Sequence, residues 1–123
     1  MADPKDAPNN FKDVTIDDGT FKDTRTLARF SGDKMQKVPL FGSEKYFCDL
    51  YCLQPGQHQR IHSHSESDKI YYVIEGRGML HIAGEERECT AGDAIIARPG
   101  EEHGVKNESE NNLVLLVFMT PRP

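Results

Sequence analysis

The chain reads as all-β, a sandwich or small barrel of antiparallel strands. Three observations carry that reading. Turn signals built on Pro, Gly, Asn and Asp recur roughly every eight to twelve residues. The runs between them are short and rich in β-branched and aromatic residues. No stretch holds a helical period long enough for a full-length helix before Pro or Gly interrupts it.

The elements follow in order. Residues 1 to about 20 are polar and carry Pro4, Pro8, Asn9 and Asn10, the composition of a flexible arm. Within it Val14 and Ile16 alternate, which leaves open a strand added to a partner subunit. Residues 21–123 are expected to form one domain. A short strand is expected over Leu27–Phe30, closed by Ser31-Gly32-Asp33. Lys45–Leu53 is an aromatic strand ending at Gln54-Pro55-Gly56. Lys69–Ile74 is a strong β run, and Glu75-Gly76-Arg77-Gly78 is expected to turn it as a hairpin into Met79–Ala83. Gly84-Glu85 leads into Glu86–Thr90, and Gly92-Asp93 and Pro99-Gly100 bracket Ala94–Ala97. Leu113–Met119 is apolar throughout, which predicts a strand buried on both faces.

At 123 residues the chain suits one domain with a true core and a single pocket. Its net charge of −5, without a basic stripe or any Trp, gives no electrostatic case for nucleic acid or anionic lipid. The longest apolar run is far shorter than a membrane span, and the N-terminus shows no signal-peptide pattern. Three cysteines make no disulfide framework, so a reducing cytoplasm is the expected compartment. Cys48 and Cys52 share a strand face too far apart to bridge and read as small buried hydrophobes, whereas Cys89, in a charged segment, is expected to be exposed.

His62-Ser63-His64 is the most informative triplet. Residues i and i+2 of a strand project from one face, so two imidazoles so placed can share a cation. Such a triplet also arises by chance, and its polar neighbours suit an ordinary surface. A third histidine, His103, follows the turn Pro99-Gly100-Glu101-Glu102. If the sheet folds back on itself, that turn carries His103 beside the first two. Three neutral imidazoles then leave other coordination positions to water or substrate.

These residues resemble the two motifs of the cupins. Gly56, His62-x-His64 and Gly76 look like the first motif, and Gly92, Gly100, His103 and Asn107 like the second. The resemblance covers residues 45 to 119 and implies a small antiparallel β-barrel of jelly-roll type with a divalent metal inside, Fe, Mn, Ni, Zn or Cu. Two departures stand out. Lys69 occupies the position where the family carries a metal-binding Glu, and a protonated amine cannot ligate. Asp68, one residue earlier, fits the shorter spacing and becomes a ligand if the strand opens with a bulge. The alternatives are a three-histidine site and a site that binds no metal. Arg98 stands in place of the second motif's Pro, with Pro99 following.

Lys69 either snorkels outward or grips a substrate carboxylate or enolate. Tyr71 shares its strand parity and is a pocket wall or a phenol donor. His58 reads as a loop residue and His81 as a satisfied sheet histidine. The expected activity is that of a metal-dependent isomerase, lyase or dioxygenase acting on a small oxygen-bearing molecule at His62, His64 and His103. A non-catalytic sensor or accessory module is the alternative, and a metal-free acid–base enzyme is a third. Aromatics and an open strand edge within residues 21 to 53 predict a homodimer.

Overall fold

The structure, a computed structural model, describes residues 19–123, so most of the polar segment read as an arm, with Val14 and Ile16, lies outside the described residues. Nine strands follow a single helical turn, α1 (Thr24–Leu27): β1 (Gln36–Gly42), β2 (Phe47–Leu53), β3 (His58–His62), β4 (Asp68–Glu75), β5 (Arg77–Ile82), β6 (Glu85–Thr90), β7 (Ala94–Ala97), β8 (His103–Lys106) and β9 (Leu113–Thr120). They form two antiparallel sheets, one ordered β1-β2-β9-β4-β7 and the other β3-β8-β5-β6. No helix among the described residues is long and apolar enough to cross a membrane.

The apolar run in β9 behaves as its composition requires. It lies between β2 and β4, and its first half is buried on both faces. Inward-facing residues of both sheets, among them Tyr51, Tyr71, Val73, Leu80, Val105 and Leu115, make the main core. A second apolar layer covers the outer face of the larger sheet, where Leu27, Ala28 and Phe30 pack on Leu40, Leu50 and Cys52.

Several expectations need correction. The sheets do not close into a barrel, because the edges β6 and β7 do not pair. The turn between them bonds to β4 instead: the Gly92 N–H donates to the Val73 carbonyl and the Val73 N–H to the Asp93 carbonyl. An open cleft lined by Leu80, Ile82 and Ile95 remains between the two edges. The strand expected over Leu27–Phe30 is absent. Asp23 caps α1 through the Arg25 N–H at 2.9 Å, and the apolar side chains that follow cover a sheet face rather than extend an edge. β1 is a further strand, with Pro39 inside it. It is tolerated because β1 is an edge strand, where one missing donor costs no ladder bond.

β4 and β5 are not a hairpin, because they belong to different sheets. Gly76 makes the crossing between them. Its φ is +83°, and a Cβ there would lie 2.2 Å from the Asn112 carbonyl oxygen, so the glycine answers a close backbone approach. The hairpin is instead β5–β6, turned by Ala83 and Gly84 at φ 49° and 87°. Cys89 is buried rather than exposed, being the one buried residue of the charged strand β6. All three cysteines are free thiols.

Candidate metal centre

Neutral imidazoles need a lone pair aimed inward and a second nitrogen held by a fixed acceptor. Two of the three histidines meet both conditions. His62 ends β3 and His103 begins β8, and the two are direct partners in the ladder. The His62 Nδ1–H donates to the Arg60 carbonyl at 2.9 Å, and the His103 Nδ1–H donates to the Glu101 carbonyl at 3.0 Å. A carbonyl only accepts, so both rings carry their proton on Nδ1 and present a bare Nε2. His103 Nε2 is buried without a hydrogen-bond partner. His64 follows just after β3, and its carbonyl accepts from the Gly100 N–H at 2.8 Å, which ties the two histidine-bearing segments together.

The three rings converge, with centroids 4.4, 5.0 and 5.5 Å apart. Their candidate ligand nitrogens all lie within 4.8 Å of one another. Nitrogens about 2.0–2.1 Å from one ion stand roughly 3.3 Å apart, so small ring adjustments suffice to bind it. Burial lowers the basicity of all three imidazoles, and His103 is pushed down to about 4 despite its bond to Glu101. The rings are therefore neutral at neutral pH. The orphaned His103 Nε2 and the all-imidazole donor set fit a divalent transition ion.

Asp68 does not join them. β4 opens with regular pairing, Asp68 to Thr120 and Lys69 to Met119, and its register shift comes later, between Val73 and Glu75. Without the early bulge Asp68 takes the opposite parity from Lys69 and Tyr71, which are 2% and 0% exposed. Lys69 points inward and does not snorkel. Its Nζ lies 5.2 Å from the Tyr51 ring centroid and 5.3 Å from that of Tyr71. Burial, reinforced by Lys37 and opposed by Asp49, pulls this ammonium down to about 7. Tyr71 packs its ring 6.3 Å from that of His103 and donates its hydroxyl to Gln59 Oε1 at 3.3 Å. Burial lifts its phenol above the ordinary range, so it stays protonated.

Three contributors escaped the sequence. Gln59 and His62 are both half-buried, though strict alternation over three residues would put them on opposite faces; the register shift between them restores a common side. Tyr51 is brought beside β4 by the pairing of β2 and β4 with β9, and Lys37 by the pairing of β1 with β2. Asn107 is structural: its Nδ2 donates to the carbonyls of Leu53 and Asn111, and its Oδ1 accepts from Ser109. The turn before His103 survives without the usual Pro, because the Arg98 N–H donates to Glu101 Oε1 at 2.8 Å. His81 is outside the cluster and bonds Glu102 at 2.8 Å.

Known proteins resemble this chain in fold and sequence. The crystal structure of TT1209 from Thermus thermophilus is 46% identical, covers 84% of this chain and 98% of that one, and has a TM-score of 0.82. The oxalate-binding protein of Thermotoga maritima is 33% identical over 67 residues, which is 54% of this chain and 55% of that protein. The pectin degradation protein KdgF of Dickeya dadantii is 36% identical over 61 residues, 50% of this chain and 56% of that one. The chain thus spans about half the length of these curated relatives. The family model for the cupin domain matches residues 49–119, and with that match over the segment that carries all three histidines, the chain belongs to the cupin family.

Proposed function

We propose that this protein holds a divalent metal ion on His62, His64 and His103 and acts as an enzyme on a small oxygen-bearing organic molecule bound beside it. The observation that carries the reading is the buried, unpartnered Nε2 of His103, directed at two further imidazoles with no carboxylate in the cluster. A bound ion of the Fe, Mn, Ni, Zn or Cu type supplies Lewis acidity and open coordination positions. The protein's own residues do the rest. The carbonyls of Arg60 and Glu101 fix the ring tautomers. Tyr71 walls the site and keeps its hydroxyl proton toward Gln59. Lys69 offers a positive charge to an anionic or enolic oxygen, and its lowered basicity lets it hold or release a proton near neutrality. The Thermotoga relative is an oxalate-binding protein and the Dickeya relative acts in pectin degradation, both consistent with a small acidic ligand.

The test is metal content by mass spectrometry with turnover on a panel of small hydroxy, keto and dicarboxylic acids. Expected are near-stoichiometric metal, its loss in His103→Ala, and conversion of at least one acid. Metal that is unaffected by His103→Ala overturns the site. Metal with binding but no conversion favours the non-catalytic module. A cytoplasmic homodimer belongs to the same proposal. Tyr72 and Ile70, 41% and 37% exposed on the outer face of β4, together with the open edge of β1, support the dimer.

A further inference from the structure

Two ammonium groups pack against one ring, that of Tyr51. Lys37 pairs with Tyr51 across β1 and β2, so both point to the inner side of the larger sheet. Its Nζ lies 5.3 Å from the Tyr51 centroid, and that of Lys69 lies 5.2 Å from the same centroid. Lys69 is 2% exposed, yet neither lysine forms an ion pair among the described residues. Asp49, which shares the inward face of β2 with Tyr51, is the acid that acts on Lys69, but it does not reach ion-pair distance. Ring faces attract a cation weakly compared with a carboxylate, and Asp49, the one acid that acts on both lysines, stays beyond ion-pair distance of each, so the two like charges are only partly offset. The Tyr71 ring lies beside both Lys69 and the imidazoles, at 5.3 Å from Lys69 Nζ and 6.3 Å from the His103 ring.

We propose that Lys37 and Lys69 form an anion subsite opposite the three imidazoles, and that the ligand of this centre is a short-chain organic dianion. One end of the ligand places its oxygen donors at the histidine cluster. The other end places a carboxylate between the two ammoniums, where charge-assisted hydrogen bonds replace the missing counter-ion. This rests on the metal reading above and narrows it from oxygen-bearing molecules to dicarboxylates. Specificity follows from polarity: a monocarboxylate that engages the metal leaves the lysine pair unpaired, which the buried Lys69 penalises.

Calorimetric titration of the full chain with malonate and with acetate tests this, in a metal-loaded arm and a chelator-treated arm. Metal-loaded protein is expected to bind malonate at least tenfold more tightly than acetate. Lys37→Met, at an exposed edge position, is expected to abolish most of that advantage while metal content stays as it was. Lys37→Arg is expected to retain it. Equal affinities for the two acids, or a malonate affinity indifferent to Lys37→Met, overturns the subsite. A protein that takes up no metal sinks the proposed centre instead. The chelator-treated arm then decides the subsite alone, by whether weak malonate binding still depends on Lys37.

Discussion

Replacing Lys69 with Met should stabilise the metal-free protein near neutral pH, and the size of the effect can be worked out. Burial drives the Lys69 ammonium from 10.5 down to about 7. At about 1.36 kcal/mol per pH unit, that shift corresponds to a burden of roughly 5 kcal/mol on the folded state, as an upper bound. The faces of Tyr51 and Tyr71 return about 2 kcal/mol to the charged form, leaving roughly 3 kcal/mol. The sign follows from which state holds the proton. Below about pH 7 both folded and unfolded chains are protonated at this residue, and the full burden is present. As pH climbs from there toward 10.5, the folded chain gives up its proton before the unfolded chain does, so stability rises with pH. Above 10.5 the burden is gone. Methionine matches the stem in length, does not titrate and packs well against rings. Urea denaturation of chelator-treated protein at pH 6.5 should therefore favour Lys69→Met by about 3 kcal/mol, or on the order of 10 °C in Tm. By pH 10.5 the difference should be small. A variant less stable than the parent at pH 6.5, or an advantage that does not shrink with pH, would refute the reasoning.

Other perturbations test neighbouring steps. Gly76→Ala places a Cβ 2.2 Å from the Asn112 carbonyl oxygen at a φ of +83°, and should lower thermal stability by at least about 2 kcal/mol in a circular dichroism melt. Gln59→Leu strips the buried Tyr71 hydroxyl of its acceptor and should cost about 1–3 kcal/mol while metal content is unchanged; loss of metal would mean that Gln59 supports the centre directly. Tyr72→Glu puts a charge on the exposed outer face of β4 and should convert a dimer to a monomer by sizing with light scattering. A parent protein that is already monomeric removes the dimer proposal.

The strands around the site were legible because their chemistry is local. Alternation in Lys69, Tyr71 and Val73 fixes one inward face, and the apolar run of β9 fixes the sheet centre. The histidines were legible as a set because turn residues place His103 at the start of a strand. What failed depends on pairing between distant segments. Nothing local states that Gly76 crosses between sheets instead of closing a hairpin, since a positive φ serves both. Barrel closure is likewise a question of whether β6 meets β7 and β1 meets β3, pairings between segments distant in sequence that no local pattern states. Gln59 was hidden by a register shift, and Lys37 by a place on an edge strand that is set by its pairing with β2.

The replacement of a carboxylate by Lys69 changes what the centre is suited to bind. Three neutral imidazoles contribute no negative charge, so a divalent ion there keeps its full positive charge. Lys69 and Lys37 add to it, while the chain as a whole is acidic at −5. Apart from Asp49, the acids near the smaller sheet lie elsewhere, with Glu86 and Glu102 beside His81 on its outer side. Field lines from a cationic pocket in a low-dielectric core are not cancelled by screened surface carboxylates. A carboxylate ligand in the position of Lys69 would neutralise half the ion's charge and favour neutral or monoanionic substrates. With lysine there, tight binding requires the substrate itself to bring the negative charge. On the proposed reading, the polarity of one inward side chain on β4, more than the identity of the metal, would set the class of molecule bound here.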